Sequence, residues 1–242
     1  MIAAVALLAL AQAPSFPFPK DYVALGDDAA MAVPRSLPAG PVRVVAYFHG
    51  MLPESAAQAP ELSRMARAAS ARGLVVLALR GEQGLCDWSA EVRRHWCWPN
   101  GKRQLPQVGA VLQRLSAALD RAGAKLGRPL EAPFVAGFSN GGFLAGLLLS
   151  DSPLRPRAVA IAHGGLVDGQ RFEQAPAVPV LLLSATGDVF HGPRMAQLDQ
   201  ALRQAGRPAR VVVREGAHEL TADDARAMVD FFAGQPPAEA SR

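Results

Sequence analysis

Ser139 stands in the run Gly137-Phe138-Ser139-Asn140-Gly141-Gly142, a frame of small residues around one hydroxyl. A G-x-S-x-G segment between a strand and a helix forms a sharp turn that lifts the serine above the sheet. Gly137 and Gly141 keep Cβ atoms out of the place where strand and helix approach each other. The following helix aims its first amides and the positive end of its dipole at the same point. The chemistry on offer is nucleophilic attack. A serine hydroxyl is weak alone; it needs a base to take its proton and an acid to hold that base.

Five histidines could serve as the base. His218, in Glu215-Gly216-Ala217-His218, follows the last expected strand and gives the chain order Ser, Asp, His. His49 ends an early strand and precedes Gly50; its expected role is to pack and hydrogen-bond beneath a loop. His163 follows another strand in His163-Gly164-Gly165, and His95 and His191 are expected in loops. For the acid, Asp188 ends a strand in Ser184-Ala185-Thr186-Gly187-Asp188. Asp168 is the rival, with a helix N-cap as its other reading. Asp223 and Asp224 suit the start of the last helix. Acyl transfer also needs donors for a developing oxyanion. The amide of Asn140 supplies one, and the amide of Met51, in His49-Gly50-Met51, is the candidate for the second.

The elements that must position these residues are legible as apolar runs. Strands are expected at 42–48, 74–79, 134–138, 158–162, 178–184 and 210–214, with a short antiparallel pair within 22–34 at a sheet edge. Helices are expected at 54–72, 105–126, 140–150, 193–205 and 221–233. Buried strands alternating with helices predict an α/β protein: a three-layer α/β/α sandwich around a mostly parallel sheet. Ligands of such sheets bind at the carboxyl ends of the strands, where every candidate above falls.

Residues 80–104 are expected to be irregular and hold both cysteines and all three tryptophans. Cys86 and Cys97 predict a disulfide in an oxidising compartment. A zinc site is disfavoured, since there is no second cysteine pair and only His95 lies near. Trp88, Trp96 and Trp98 either wall a substrate pocket or pack this loop onto the body; both readings stand.

The chain has 242 residues, half of them hydrophobic, and a formal charge of +4. One domain over 14–234 is expected, with a frayed tail at 235–242. The arginines are scattered, without a basic run interleaved with aromatics, so nucleic-acid binding is not indicated. Residues 1–13 read as a signal peptide without a basic start, too short to span a bilayer, with cleavage preferred after Ala11. A secreted or periplasmic protein without stable membrane insertion is expected. No oligomeric state is indicated.

In their order, His49-Gly50-Met51, the Ser139 motif, Gly187-Asp188 and Gly216-Ala217-His218 make the chain resemble the α/β-hydrolase superfamily from about residue 40 to 233. Ser139-Asn140-Gly141-Gly142 resembles secreted polyester depolymerases and feruloyl-type esterases; the compact build resembles dienelactone hydrolases and carboxylesterases. Ser184-Ala185 replaces the His-Gly that often opens the acid motif of the depolymerases, and no long cap follows the fourth strand. The resemblance implies ester hydrolysis through an acyl-enzyme, with Ser139, His218 and Asp188 as triad and no cofactor or metal. The same triad serves serine peptidases and thioesterases, and a non-catalytic binding protein can share the fold.

Overall fold

The computed structural model describes residues 16–150 and 153–236. The signal-peptide reading of 1–13 and most of the expected tail lie outside these residues. Eight strands form one sheet: β1 (Val23–Ala24), β2 (Ala29–Ala32), β3 (Val44–Phe48), β4 (Val75–Leu79), β5 (Phe134–Phe138), β6 (Val159–Ala162), β7 (Val180–Ala185) and β8 (Arg210–Arg214). Their order is β1-β2-β4-β3-β5-β6-β7-β8. β1 and β2 are the antiparallel edge, and from β4 to β8 all neighbours are parallel.

Alternation along the strands divides the core. Val44, Ala46 and Phe48 of β3 face one layer, with Val75, Leu77 and Leu79 of β4. Val45 and Tyr47, with Val76 and Ala78, face the other. The first layer holds α2 (Val108–Leu126), α3 (Asn140–Ser150) and α4 (His191–Gln204); the second holds α1 (Pro60–Ser70) and α5 (Ala222–Ala233). α3 is buried along its whole length, as expected of a helix that is apolar all round. β8 departs from the buried strand expected of it: it is the far edge, with Val211 42% and Val213 57% exposed.

Three helix starts differ from the sequence reading for local reasons. α1 begins at Pro60, not at 54, because proline suits the first helical position and holds the preceding Ala59 outside the helical region. A 3-10 stretch, Lys102–Gln107, leads into α2 and contains Pro106. α4 begins at His191, so that histidine is not in a loop; Pro193 is tolerated in the first turn, where its missing N–H has no intrahelical acceptor. α5 starts with a capping box: Thr221 Oγ1 accepts from Asp224 N–H, and the Asp224 carboxylate accepts from Thr221 N–H. No helix among the described residues is long and apolar enough to cross a membrane.

Candidate active site

Strands β5, β6 and β7 are adjacent, and their carboxyl ends bring Ser139, His163 and Asp188 side by side. Ser139 follows β5 with φ 52°, a left-handed conformation that costs a non-glycine residue energy. The close approach around it requires glycine. A Cβ on Gly137 would overlap the carbonyl of Gly141, and one on Gly141 would overlap the carbonyl of Phe48. The strained turn is therefore locked between β3 and α3.

The loop after β7 supplies Asp188, and the loop after β8 supplies His218. Ser139 Oγ–H donates to His218 Nε2 over 2.8 Å, and His218 Nδ1–H donates to Asp188 Oδ2 over 2.7 Å. The His218 ring lies nearly parallel to His191, with centroids 4.1 Å apart, and to Phe138, 5.2 Å away. Burial opposes ionisation of Asp188, but hydrogen bonds from His218, His163 and the His191 amide outweigh it and hold the carboxyl well below its usual range. Asp188 is therefore an anion at neutral pH, able only to accept.

Two further imidazoles meet that carboxylate, and the sequence reading gave neither a role. His163 Nδ1 lies 2.8 Å from Oδ2, with the ring fully buried. His191 Nδ1 lies 3.1 Å from Oδ1, which also accepts the His191 amide at 3.1 Å. The Asp188 side chain thus also accepts the first amide of α4, two residues ahead of the N-cap position at Phe190. The rival acid, Asp168, is exposed in a turn before left-handed Gly169, and no helix follows for it to cap.

The Asn140 amide opens α3, where a helix has no acceptor of its own for its first donors. The loop with the Met51 amide passes close to the serine: a Cβ on Gly50 would lie 3.4 Å from Ser139 Cβ. Beneath it, His49 is fully buried and bridges two backbones. Its Nδ1–H donates to Gly50 O, and its Nε2 accepts from Gly81 N–H at 3.0 Å. Burial pushes its pKa down to about 4.

The three tryptophans part company. Trp88 is 62% exposed and lines a cavity of about 650 Å³ with Met51, Ser139, Phe143, Phe190 and His218. Trp96 and Trp98 are buried and do not line it. Trp96 pairs its backbone with Leu52 in both directions, bracing the Met51 loop. Trp98 Nε1–H donates to His49 O at 2.9 Å, and its backbone holds the Asn140 side chain. Of the two readings left open for the tryptophans, only Trp88 is placed to wall a cavity, while Trp96 and Trp98 pack the loops around it. Cys86 and Cys97 form a disulfide that closes the segment carrying Trp88 and Trp96.

No model of a known protein family matches the sequence, and no curated protein matches it. Solved structures do match its fold. Esterase PE8 superposes with a TM-score of 0.64 at 17% identity over 85% of this chain and 97% of its own. The Bacillus cereus carboxylesterase gives 0.59 at 15% identity over 84% and 92%. The Pyrococcus horikoshii acylaminoacyl peptidase gives 0.60 at 14% identity over 88% of this chain but 40% of its own. At such identities the likeness is one of architecture, and the chain has the α/β-hydrolase fold.

Proposed function

We propose that the protein is a serine hydrolase of carboxylic esters that works through an acyl-enzyme. The observation that carries this is the unbroken hydrogen-bond line from Ser139 Oγ through His218 to an ionised Asp188, opening onto a cavity. His218 Nε2 takes the hydroxyl proton as Oγ attacks the ester carbonyl. The oxyanion forms against the amides of Asn140 and Met51. Its collapse expels the alcohol, which takes the proton from His218. Water then attacks the acyl group with His218 again as base, and the acid leaves Ser139 free. Asp188 stabilises the imidazolium in both halves. None of these steps calls on a cofactor.

The apolar lining from Met51, Trp88, Phe143 and Phe190 suits the acyl or alcohol portion of a small or medium ester. The two structures that superpose along most of their own length are an esterase and a carboxylesterase, which supports this reading. The Cys86–Cys97 disulfide suits an oxidising compartment, so export to the periplasm or the exterior belongs to the same proposal. A panel of p-nitrophenyl esters, acyl thioesters and aminoacyl amides tests it. The wild type should turn over the esters and Ser139→Ala should not. Undiminished turnover by a folded Ser139→Ala protein would overturn the assignment.

A further inference from the structure

His163 is an odd residue to bury where it is. It directly follows β6, between the strands that lead to Ser139 and Asp188. Ser139 and His163 are the two non-glycine residues with positive φ among those described, at 52° and 51°. The ring is fully buried, and its Nε2 meets no hydrogen-bond partner among the described residues. Its one side-chain hydrogen bond runs from Nδ1 to Asp188 Oδ2. An apolar side chain would fill the space without a stranded nitrogen. Backbone strain and an orphaned lone pair retained together point from structure to function.

Burial lowers the pKa of this imidazole, against the pull of Asp188, so the ring is neutral and carries one proton. Asp188 can only accept. The proton is therefore on Nδ1, and Nε2 is bare. Oδ2 then receives two N–H donors, from His163 at 2.8 Å and His218 at 2.7 Å, while Oδ1 receives His191.

We propose that His163 is a positioning residue: its Nδ1–H fixes Asp188 Oδ2 in the orientation that meets His218, and shares the negative charge that would otherwise act on His218 alone. The neighbouring charged and titratable groups do not duplicate it. His191, on α4, bonds the other oxygen. Arg194, also on α4, lines the cavity beside His218. Asp224 of α5 is paired with Arg214 of β8. Without His163, Asp188 should turn more freely and hold the His218 proton more tightly.

This inference rests on the triad reading above, and its test separates the two. His163→Asn and His163→Gly both tolerate positive φ, but only asparagine keeps an N–H within reach of Asp188. Rates on p-nitrophenyl butyrate are measured across pH. His163→Asn should stay within about 3-fold of wild type. His163→Gly should lose on the order of 10- to 100-fold in kcat with KM unchanged. In the glycine variant the acid limb of kcat/KM should also move to higher pH. Wild-type kcat and pH profile in His163→Gly would overturn the proposal. So would an equal loss in both variants with the limb unmoved, the mark of a merely structural residue. Should His163→Gly not fold, nitrogen NMR of the wild-type imidazoles decides: His163 is expected as the Nδ1–H tautomer, and an Nε2–H tautomer would contradict it. That reading holds whether or not the protein turns over esters, so failure of the triad assignment remains distinguishable.

Discussion

Trp98 and Asn140 bond each other in both directions. Trp98 N–H donates to Asn140 Oδ1 at 2.6 Å, and Asn140 Nδ2 donates to Trp98 O at 3.3 Å. Asn140 immediately follows Ser139, and Trp98 immediately follows Cys97. One side chain therefore ties the disulfide loop to the turn that carries Ser139.

Asn140→Ala keeps the backbone amide but leaves Trp98 N–H and C=O buried without their partner. A buried polar group so stranded costs about 1–3 kcal/mol. Urea unfolding should show a loss of that size, with the midpoint moved and the slope unchanged. An unchanged midpoint would mean that the two segments do not depend on this link.

Removing the disulfide should act through the same link. Cys86→Ser with Cys97→Ser opens a short ring, at a stability cost of about 3 kcal/mol or less. Loosening of Cys97 also frees Trp98, and with it the support of Asn140. A drop in kcat on the order of 10-fold is expected, and the wild type should show the same drop under dithiothreitol and recover on reoxidation. Full activity in the serine double variant would separate the loop from catalysis.

Acid should destabilise the protein well before the carboxylates titrate. His49 is held neutral in the fold, with its pKa moved from 6.5 to about 4. A depressed pKa gives stability that is complete above the unfolded value and is lost as pH falls towards the folded one. For His49 that window runs from 6.5 down to about 4 and is worth on the order of 3 kcal/mol. His163 and His191 shift in the same direction and add to the slope. Asp188, depressed as a carboxylic acid, adds its share below about pH 4. Chemical denaturation at several pH values checks this, and His49→Gln should flatten the upper part of the curve. A stability that is level between pH 6.5 and 4.5 would contradict it.

Trp88 and Phe190 are the two strongly exposed aromatics at the cavity, and loss of Trp88 should alter binding more than chemistry. Trp88→Ala is expected to raise KM ~3- to 10-fold for bulky aryl or long-chain esters, with little change for acetate esters or in kcat. Steady-state kinetics over an acyl-length series reads this directly. An equal effect on every ester would place Trp88 in the scaffold instead.

Much of this arrangement was legible in the residues because β3, β5 and β6 are continuous apolar runs followed directly by His49, Ser139 and His163. Phe134 to Phe138 followed by a serine among glycines gives strand, turn and helix together. The antiparallel edge at β1 and β2 was also visible, as was the start of the last helix at Asp223 and Asp224. The misses have physical causes. His191 looked like a loop residue because Gly192-Pro193 reads as a break, although a first turn accepts proline. Asp168 looked like a cap, but no helix follows it. His163 carries no periodic signal; what could have raised it is its place at the end of the strand between those leading to Ser139 and Asp188. Trp96 and Trp98 could not be separated from Trp88 by composition, because burial of the loop depends on the backbone pairing of Trp96 with Leu52.

The proposed ester hydrolysis requires Ser139 to be an activated nucleophile served by His218 and Asp188. Reaction of the purified protein with a fluorophosphonate, followed by mass spectrometry of the labelled peptide, tests it most directly. One adduct is expected, on Ser139, formed quickly by the wild type and slowed by orders of magnitude in His218→Ala and Asp188→Asn. A folded protein that stays unlabelled, or one whose Ser139 reacts at the same rate without His218, would contradict it.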